Sequence, residues 1–312
     1  LTGDAFWTAA MFSKIVIPLD GSPVAEAALP YARALARGGS LPVELLSVID
    51  LDEMARHIAA ERGLFLDTLD DFETHRRNDY LSALAKSFTG VQVTWRVERG
   101  EAASTIVESA AADKAALVCM ATHGRSGLQR WLLGSVAEKV LRASENPLLL
   151  VRASGSTPVT GVKTLDAIIV PLDGSSVAEQ VLPAVAEAAK SLDIELILFR
   201  AYNIPYGSFY EGGGSYAVDL QRLSTSIETD VQLYLEDRRD VLGKAGLAKV
   251  AYASKEGLAA DAIIDFARNK PGGLIVMCSH GRSGVRRWAL GSVTETVVRH
   301  AVNPVLILRA AA

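Results

Sequence analysis

The sequence predicts an α/β protein made of two tandem, doubly wound halves, and three observations carry that prediction. The chain repeats itself: "KIVIPLDGSPVAEAALPYARALA" (residues 14–36) returns as "AIIVPLDGSSVAEQVLPAVAEAA" (167–189), and "ATHGRSGLQRWLLGS" (121–135) returns as "CSHGRSGVRRWALGS" (278–292). Each half alternates short apolar runs with helix-length runs, the pattern of a parallel sheet covered on both faces. The chain has 312 residues, 49% of them hydrophobic and 22% charged, which suffices for two cores of ordinary size.

In the first half, "KIVIPL" (14–19) reads as a strand. A helix follows over 24–37, with Ser22 as N-cap and Pro23 in the first turn. "PVELLSVI" (42–49) is the second strand and the stretch around 70–88 the second helix. "VQVTWRV" (91–97) alternates as a strand, "EAASTIVESAAA" (101–112) is a helix, and "ALVCM" (116–120) is the fourth strand. After the glycine-rich loop a helix starts at Ser135, and "PLLLV" (147–151) is the fifth strand. The second half repeats the series. Pro18 and Pro171 are 153 apart and the loops 157 apart, so the second half holds four more residues, expected around "IPYGSFYEGGGSY" (204–216). "SGSTPVTG" (154–161) is small, polar and Pro/Gly-bearing. The expected division is a first domain over 11–153, a linker over 154–163 and a second domain over 164–312. Residues 1–10 lack the basic and apolar segments of a signal peptide and are left outside the fold expectation.

A net charge of −4 does not indicate a nucleic-acid-binding face. No apolar run reaches the ~18–20 residues of a membrane span. The two cysteines, Cys119 and Cys278, sit in strand-like runs, so packed, reduced thiols and a cytoplasmic setting are expected.

Open doubly wound sheets bind ligands at the carboxyl ends of strands, where the winding reverses. "PLDGS" (18–22) ends the first strand and the glycine loop follows the fourth; if those strands are neighbours, both segments meet in one crevice. The loop is spaced small-x-x-Gly-x9-Gly-Ser: Ala121, Gly124, Gly134, Ser135, and again Cys278, Gly281, Gly291, Ser292. Glycines permit close approach of backbone N–H groups to an anion, and a helix opening at Gly134–Ser135 favours phosphate. Arg125 and Arg130, and Arg282, Arg286 and Arg287, offer charge-assisted bonds. The plainer reading is capping. Ser135 and Glu138, like Ser292 and Glu295, have capping-box spacing, and Gly127 and Gly284 can serve turns alone. Asp20 and Asp173 can bind a nucleotide or hold a turn before glycine. His123 and His280 have no identifiable partner carboxylate, which favours a structural or backbone role. Trp131 and Trp288 fit apolar anchors. The acidic stretch 66–75 reads as a solvated helix face.

The repeat resembles the universal stress protein family in a tandem two-domain form. Its marks are P-x-D-G-S after the first strand, H-G-R-S-G in the loop, L-G-S-V-x-E-x-V, and N-P-(L/V)-L entering the last strand. The resemblance implies a five-stranded parallel sheet of order 3-2-1-4-5 in each half, with helices on both faces. In the family's nucleotide-binding branch it also implies an ATP site. By position, Pro18, Asp20 and Val48 look like adenosine contacts. Met120, Ala121, His123, Gly124, Gly134, Ser135 and Val136 look like the loop around ribose and phosphates. The second set is Pro171, Asp173 and Ala201, with Met277, Cys278, His280, Gly281, Gly291, Ser292 and Val293. The family motif begins with glycine where this chain has Ala121 and Cys278, so the first site is the better match.

The leading expectation is an ATP-binding stress-response regulator, with AMP or ADP as alternative ligands and Mg accompanying the nucleotide. The halves would pair through "PLLLV" and "PVLIL", and two chains would form a homodimer. A slow ATPase or phosphoryl-transfer enzyme is one alternative, although G-x-x-x-x-G-K-[ST] is missing and no catalytic residue is assigned. A nucleotide-free interaction scaffold is the other. The stress, partner and preferred nucleotide are not encoded legibly.

Overall fold

The computed structural model describes residues 11–50, 66–122, 133–153, 164–204, 216–279 and 291–310. The first half runs β1 (Lys14–Pro18), a 3-10 turn (Ala25–Ala28), α1 (Leu29–Gly39), β2 (Val43–Ile49), α2 (Leu66–Ala85), β3 (Val93–Arg99), α3 (Ala102–Ala111), β4 (Ala116–Ala121), α4 (Ser135–Ala143) and β5 (Leu148–Val151). The second runs β6 (Ala167–Pro171), α5 (Ser176–Glu179), α6 (Leu182–Leu192), β7 (Glu195–Tyr202), α7 (Tyr216–Lys244), β8 (Val250–Glu256), α8 (Ala259–Arg268), β9 (Gly273–Ser279), α9 (Ser292–His300) and β10 (Val305–Arg309).

All ten strands form one sheet, ordered β3-β2-β1-β4-β5-β10-β9-β6-β7-β8. Each half is parallel with the expected order 3-2-1-4-5. The join is antiparallel: Leu150 faces Val305, Leu149 faces Leu306 and Leu148 faces Ile307. The last strands therefore unite the halves, as their sequences suggest. Alternate strand residues feed two cores. Ile15, Ile17, Leu117 and Leu149 pack with Leu35 of α1, Leu81 of α2, Val185 of α6 and Leu235 of α7. Val16, Val118, Leu148 and Leu150 pack on the other face with Ile106 of α3, Val140 of α4, Ile263 of α8 and Val297 of α9. Burial on both faces is why the strands read as continuous apolar runs.

Buried Asn146 and Asn303 explain the N-P pair before each last strand. The Asn146 amide donates to the carbonyls of Ala110, Asp113 and Ala116, at 3.1, 2.8 and 3.1 Å. Asn303 donates to those of Lys270 and Gly273, at 2.8 and 3.0 Å. Each clamps the entry of its last strand to the entry of the neighbouring one.

Several expectations need correction. The helix expected over 24–37 is broken into the 3-10 turn and α1, with Pro30 in the first turn of α1. Proline lacks an N–H and its ring clashes with the carbonyl four residues back, so the helix restarts there. Pro183 separates α5 from α6 in the same way. The extra residues of the second half are also placed differently. Tyr80 and Tyr234 make equivalent bonds, described below, and are 154 apart, whereas β3 and β8 are 157 apart. Three of the four extra residues thus follow Tyr234, lengthening the end of α7 and its turn. The acidic stretch lies on α2 but is not simply solvated: Asp70 pairs with Arg99 of β3 at 2.9 Å, and Arg76 and Arg77 both engage Glu73. Bonding to Arg76 holds the Glu73 carboxyl below its usual range against the opposing effect of burial.

A ring of four charges crosses the seam. Arg142 bonds Glu138 and Glu295, each at 3.1 Å, and Arg299 bonds Glu295 at 2.8 Å and Glu138 at 3.1 Å. Each residue of α4 is matched by its repeat counterpart on α9. Two further arginines, themselves repeat counterparts, also cross, to acceptors two positions out of register: Arg152 donates to the His300 carbonyl at 3.3 Å and Arg309 to the Leu141 carbonyl at 2.7 Å. Each satisfies a carbonyl in the last turn of the other half's helix.

The ring is partly exposed, so solvent screens it. A double-mutant cycle with Glu138→Gln and Arg299→Gln should give a coupling of about 0.5–1 kcal/mol at low salt, shrinking towards zero near 1 M salt. Denaturant melts of the four proteins measure it; strictly additive losses would show that the ring does not bind the halves.

Candidate functional site

The carboxyl end of β1 carries Pro18, Leu19 and Asp20. β1 lies beside β4, with Lys14 opposite Ala116 and Val16 opposite Val118, so "PLDGS" and the start of the glycine loop share one edge of the sheet. β2 lies on the other side of β1, Pro18 opposite Leu46, which places Val48 beyond the end of β1. The structure thus brings Pro18, Asp20, Val48, Met120 and Ala121 to one edge of the sheet, with Val48 and Met120 on the α3 face and Ala121 on the α1 face. The second half does the same with Pro171, Asp173, Ala201, Met277 and Cys278 through the β6–β7 and β6–β9 pairs.

The turn after β1 is built by its own side chains. Asp20 Oδ1 accepts from the Ser22 N–H at 2.9 Å, and Ser22 Oγ accepts from the Ala25 N–H at 3.1 Å. Gly21 sits at φ +81°, the left-handed region that favours glycine. Asp173, Gly174 and Ser175 repeat this, with bonds of 2.9 and 3.2 Å and φ +87°. Both aspartates therefore do hold turns. Burial works against ionisation of Asp173, but bonds from Ser175 and the nearby Arg200 cation outweigh it and lower its pKa.

The loop after β4 is pinned at its base. The Thr122 N–H donates to the Val151 carbonyl at 2.9 Å, and the Gly134 N–H returns to the Thr122 carbonyl at 2.6 Å. α4 then begins. Its N-cap is Gly134, at φ −60° and ψ 146°, and no side chain caps it. Gly291 caps α9 in the same way. The expected capping boxes do not form: Ser135 and Ser292 are the first helical residues, one position too late to cap, and both are exposed. Their glutamates are instead committed to the ring across the seam. Among the described residues no N-cap side chain serves the first-turn N–H groups of either helix, whose dipoles favour an anion.

His123, Gly124, Arg125, Gly127, Arg130 and Trp131 lie outside the described residues, as do His280, Gly281, Arg282, Gly284, Arg286, Arg287 and Trp288, the linker 154–163 and residues 205–215. Among the described residues no group of three or more His, Cys, Asp or Glu side chains could hold a metal, and no helix is long and apolar enough to cross a membrane.

The sequence model described as "Universal stress protein family" matches residues 11–152 and 164–309, most of the chain. The chain belongs to the universal stress protein family. Universal stress protein MJ0531 of Methanocaldococcus jannaschii is 33% identical over 142 residues, covering 46% of this chain and 83% of that protein. Universal stress protein Rv2005c of Mycobacterium tuberculosis is 23% identical over 306 residues, 95% of this chain and 96% of its own length, so the similarity extends through both halves. The crystal structure of a universal stress protein from Archaeoglobus fulgidus covers 96% of this chain and 99% of its own, with a TM-score of 0.69 at 20% identity, and shares the fold.

Within this universal stress protein the two loop-entry departures differ. Ala121 is buried in the core on the α1 face, whereas Cys278 is half-buried. Burial raises the Cys278 thiol and pushes Cys119 up to about 12, so neither is an activated thiolate.

Three features around the crevices escaped the sequence reading. Tyr80 donates to Glu26 at 3.0 Å and Tyr234 to Glu179 at 2.7 Å, a bond repeated in both halves. Burial, then the facing carboxylate, raises both phenols. In the first half Ser47 donates to the Leu19 carbonyl and accepts from Arg77, both at 2.7 Å, directly behind the Pro18–Asp20 turn. In the second half the equivalent strand position is Arg200. It reaches the Asp173 carbonyl at 3.3 Å and lies 4.6 Å from the centre of the Tyr234 ring. Third, Glu101 caps α3: its carboxylate accepts from the Ser104 N–H and from Lys139 of α4, each at 2.8 Å. The signal for the tyrosines was available: Tyr-Leu at 80–81 matches Tyr-Leu at 234–235, and Leu81 and Leu235 are fully buried.

The Lys139 bond and then the Ser104 N–H lower the Glu101 pKa from 4.5 to about 2. A folded-state pKa below the unfolded one gives stability that is full above pH ~4.5 and is lost as pH falls towards about 2. Glu101 is over a third exposed, so Glu101→Gln should cost only about 1 kcal/mol at pH 7, the scale of an N-cap. Urea melts from pH 7 to 2 should show that difference closing through this window; a constant gap would rule out the charge as its source.

Proposed function

We propose that the first half binds an adenine nucleotide, ATP in the first instance, and that the chain acts as a nucleotide-responsive stress regulator rather than a dedicated enzyme. The observation that carries this reading is the start of α4. A glycine N-cap without a side-chain acceptor is pinned by its own N–H to the end of β4, beside the Pro18–Asp20 turn. First-turn N–H groups there suit phosphate, and apolar Pro18, Val48 and Met120 suit a base. The residues present thus fit a nucleotide, whose phosphates would bring a bound Mg ion with them. The second half has the same uncapped helix start but carries Cys278 and Arg200 at positions where the first has Ala121 and Ser47. We assign it the weaker site. A homodimer of chains in the cytoplasm belongs to the same proposal; sedimentation tests the assembly.

Titration calorimetry on nucleotide-stripped protein decides the matter. ATP should bind, and Gly134→Ala should weaken it about tenfold, a loss of about 1.4 kcal/mol. The Gly134 backbone is in a region open to any residue, and alanine is the poorer N-cap, so that variant should fold and lose only about 1 kcal/mol without nucleotide. No binding to the stripped protein, or unchanged affinity in Gly134→Ala, would overturn the reading.

A further inference from the structure

β3 and β8 are the outermost strands of the sheet, so among the described residues each presents one row of backbone N–H and C=O groups without a neighbouring strand. On β3 the outward row belongs to Val93, Trp95, Val97 and Arg99. The Gln92 carbonyl accepts from Val43 and the Gly100 N–H donates to Ile49, both inward to β2, and the direction alternates along a strand.

The repeat shows that the two outer strands are finished differently. Trp95 and Tyr252 are counterparts, 157 apart. Tyr252 is covered by α7: its hydroxyl donates to Glu236 at 2.7 Å, and the Arg239 guanidinium lies 5.2 Å from the centre of its ring. The matching positions of α2 are Ser82 and Ala85, which offer neither a carboxylate nor a guanidinium. Trp95 lies on the α2 face, between Val93 and Val97, and is 42% exposed.

Charge separates the two strands as well. On the α3 face of the first half, Lys14 of β1 pairs with Glu44 of β2 at 2.6 Å, Glu44 with Arg96 of β3 at 2.5 Å, and Arg96 with Glu98 at 3.2 Å. This ladder ends on the outermost strand with one charge of each sign. A twofold axis normal to the sheet sets β3 antiparallel to the β3 of a second copy, as β10 lies against β5. In the register that places Val97 opposite itself, Arg96 faces the partner's Glu98 and Trp95 faces the partner's Arg99, a cation beside an indole. The adjacent registers set Arg96 against itself or Glu98 against itself. β8 has no equivalent. Its Lys255 and Glu256 are neighbours in sequence, so they point to opposite faces and never oppose each other, and Lys255 is held by Asp265 of α8 at 3.1 Å.

We propose that two copies of this chain join through the outer edge of β3, in the register centred on Val97. The Val97 backbones exchange hydrogen bonds, and Trp95 and Arg99 do so with Arg99 and Trp95 of the other copy. Arg96 and Glu98 close a ring of two arginines and two glutamates, the composition of the ring across the β5–β10 seam. The proposal names the surface of the homodimer suggested above and rests on that reading.

Sedimentation of the full chain and of three variants, each shown to be folded by circular dichroism, tests it. The parent should be a dimer. Glu98→Arg sets like charges opposite each other twice and should weaken that dimer about tenfold at low salt. Val97→Pro removes an outward N–H that β2 does not use, a change an outermost strand tolerates, and should leave monomers at concentrations where the parent is dimeric. Ser254→Pro makes the same change on β8 and should dimerise like the parent. If Val97→Pro does not fold, Glu98→Arg carries the test. A monomeric parent overturns the homodimer and this surface together. A dimer kept at parental strength by the β3 variants leaves the homodimer standing and overturns this surface, as does a dimer lost in Ser254→Pro.

Discussion

Leucines 148–150 of β5 face residues 305–307 of β10 in antiparallel register, and the rest of the molecule is arranged around that join. A five-stranded parallel sheet ends in an edge whose N–H and C=O groups need partners. Here each half covers the other's edge. Because the join is antiparallel, the second half is turned about a twofold axis relative to the first. The two cores become continuous across the seam, and the carboxyl ends of one half's strands come to lie beside the amino ends of the other's. The ring of Glu138, Arg142, Glu295 and Arg299 and the crossing bonds of Arg152 and Arg309 follow from that rotation. Each has a counterpart because the axis generates one.

The repeat also serves as a comparison inside one chain. Both halves keep the aspartate–glycine turn with its positive φ, the tyrosine–glutamate bond, the asparagine clamp and the uncapped helix start. These features either close a backbone turn or satisfy a buried polar group, apart from the helix start, whose glycine N-cap has no side chain to offer. Among the departures are Ser47 against Arg200, Ala121 against Cys278 and Tyr31 against Ala184. The two halves thus share a scaffold, and some of their differences, such as Ser47 against Arg200 and Ala121 against Cys278, fall near its carboxyl ends.

The strands were legible because a strand buried on both faces is an unbroken apolar run, and the joining of the halves was legible in "PLLLV" and "PVLIL". The strand order came with the family resemblance, since periodicity does not say which strands are neighbours. The prolines at 30 and 183 were visible but their breaking effect was underweighted in an otherwise helical pattern. The glutamates were misread for a specific reason. Ser135 to Glu138 has the spacing of a capping box, and Glu138 to Arg142 has the i, i+4 spacing of an ion pair. The sequence offers both, and a glycine N-cap one residue earlier decides between them. The Tyr80–Glu26 bond joins residues 54 apart, and in the second half its partner spacing changes by one, which hides it from a fixed-offset comparison.

α4 ties these levels together. Its first turn opens at Gly134 beside the crevice of the first half, and its last turn holds Leu141, whose carbonyl is bonded by Arg309, and Arg142 of the ring. Nine helical residues span only about 13 Å at 1.5 Å per residue. A helix this short moves as one body, so a ligand that holds its first turn also acts on a last turn that belongs to the seam. The sheet edge at the end of β1 and the ring are therefore joined through one rigid element, and whatever free energy couples them must act equally in both directions. That shared helix gives a physical reason for keeping both loops in one chain: joined through β5 and β10, each helix that begins at a loop ends against the other half.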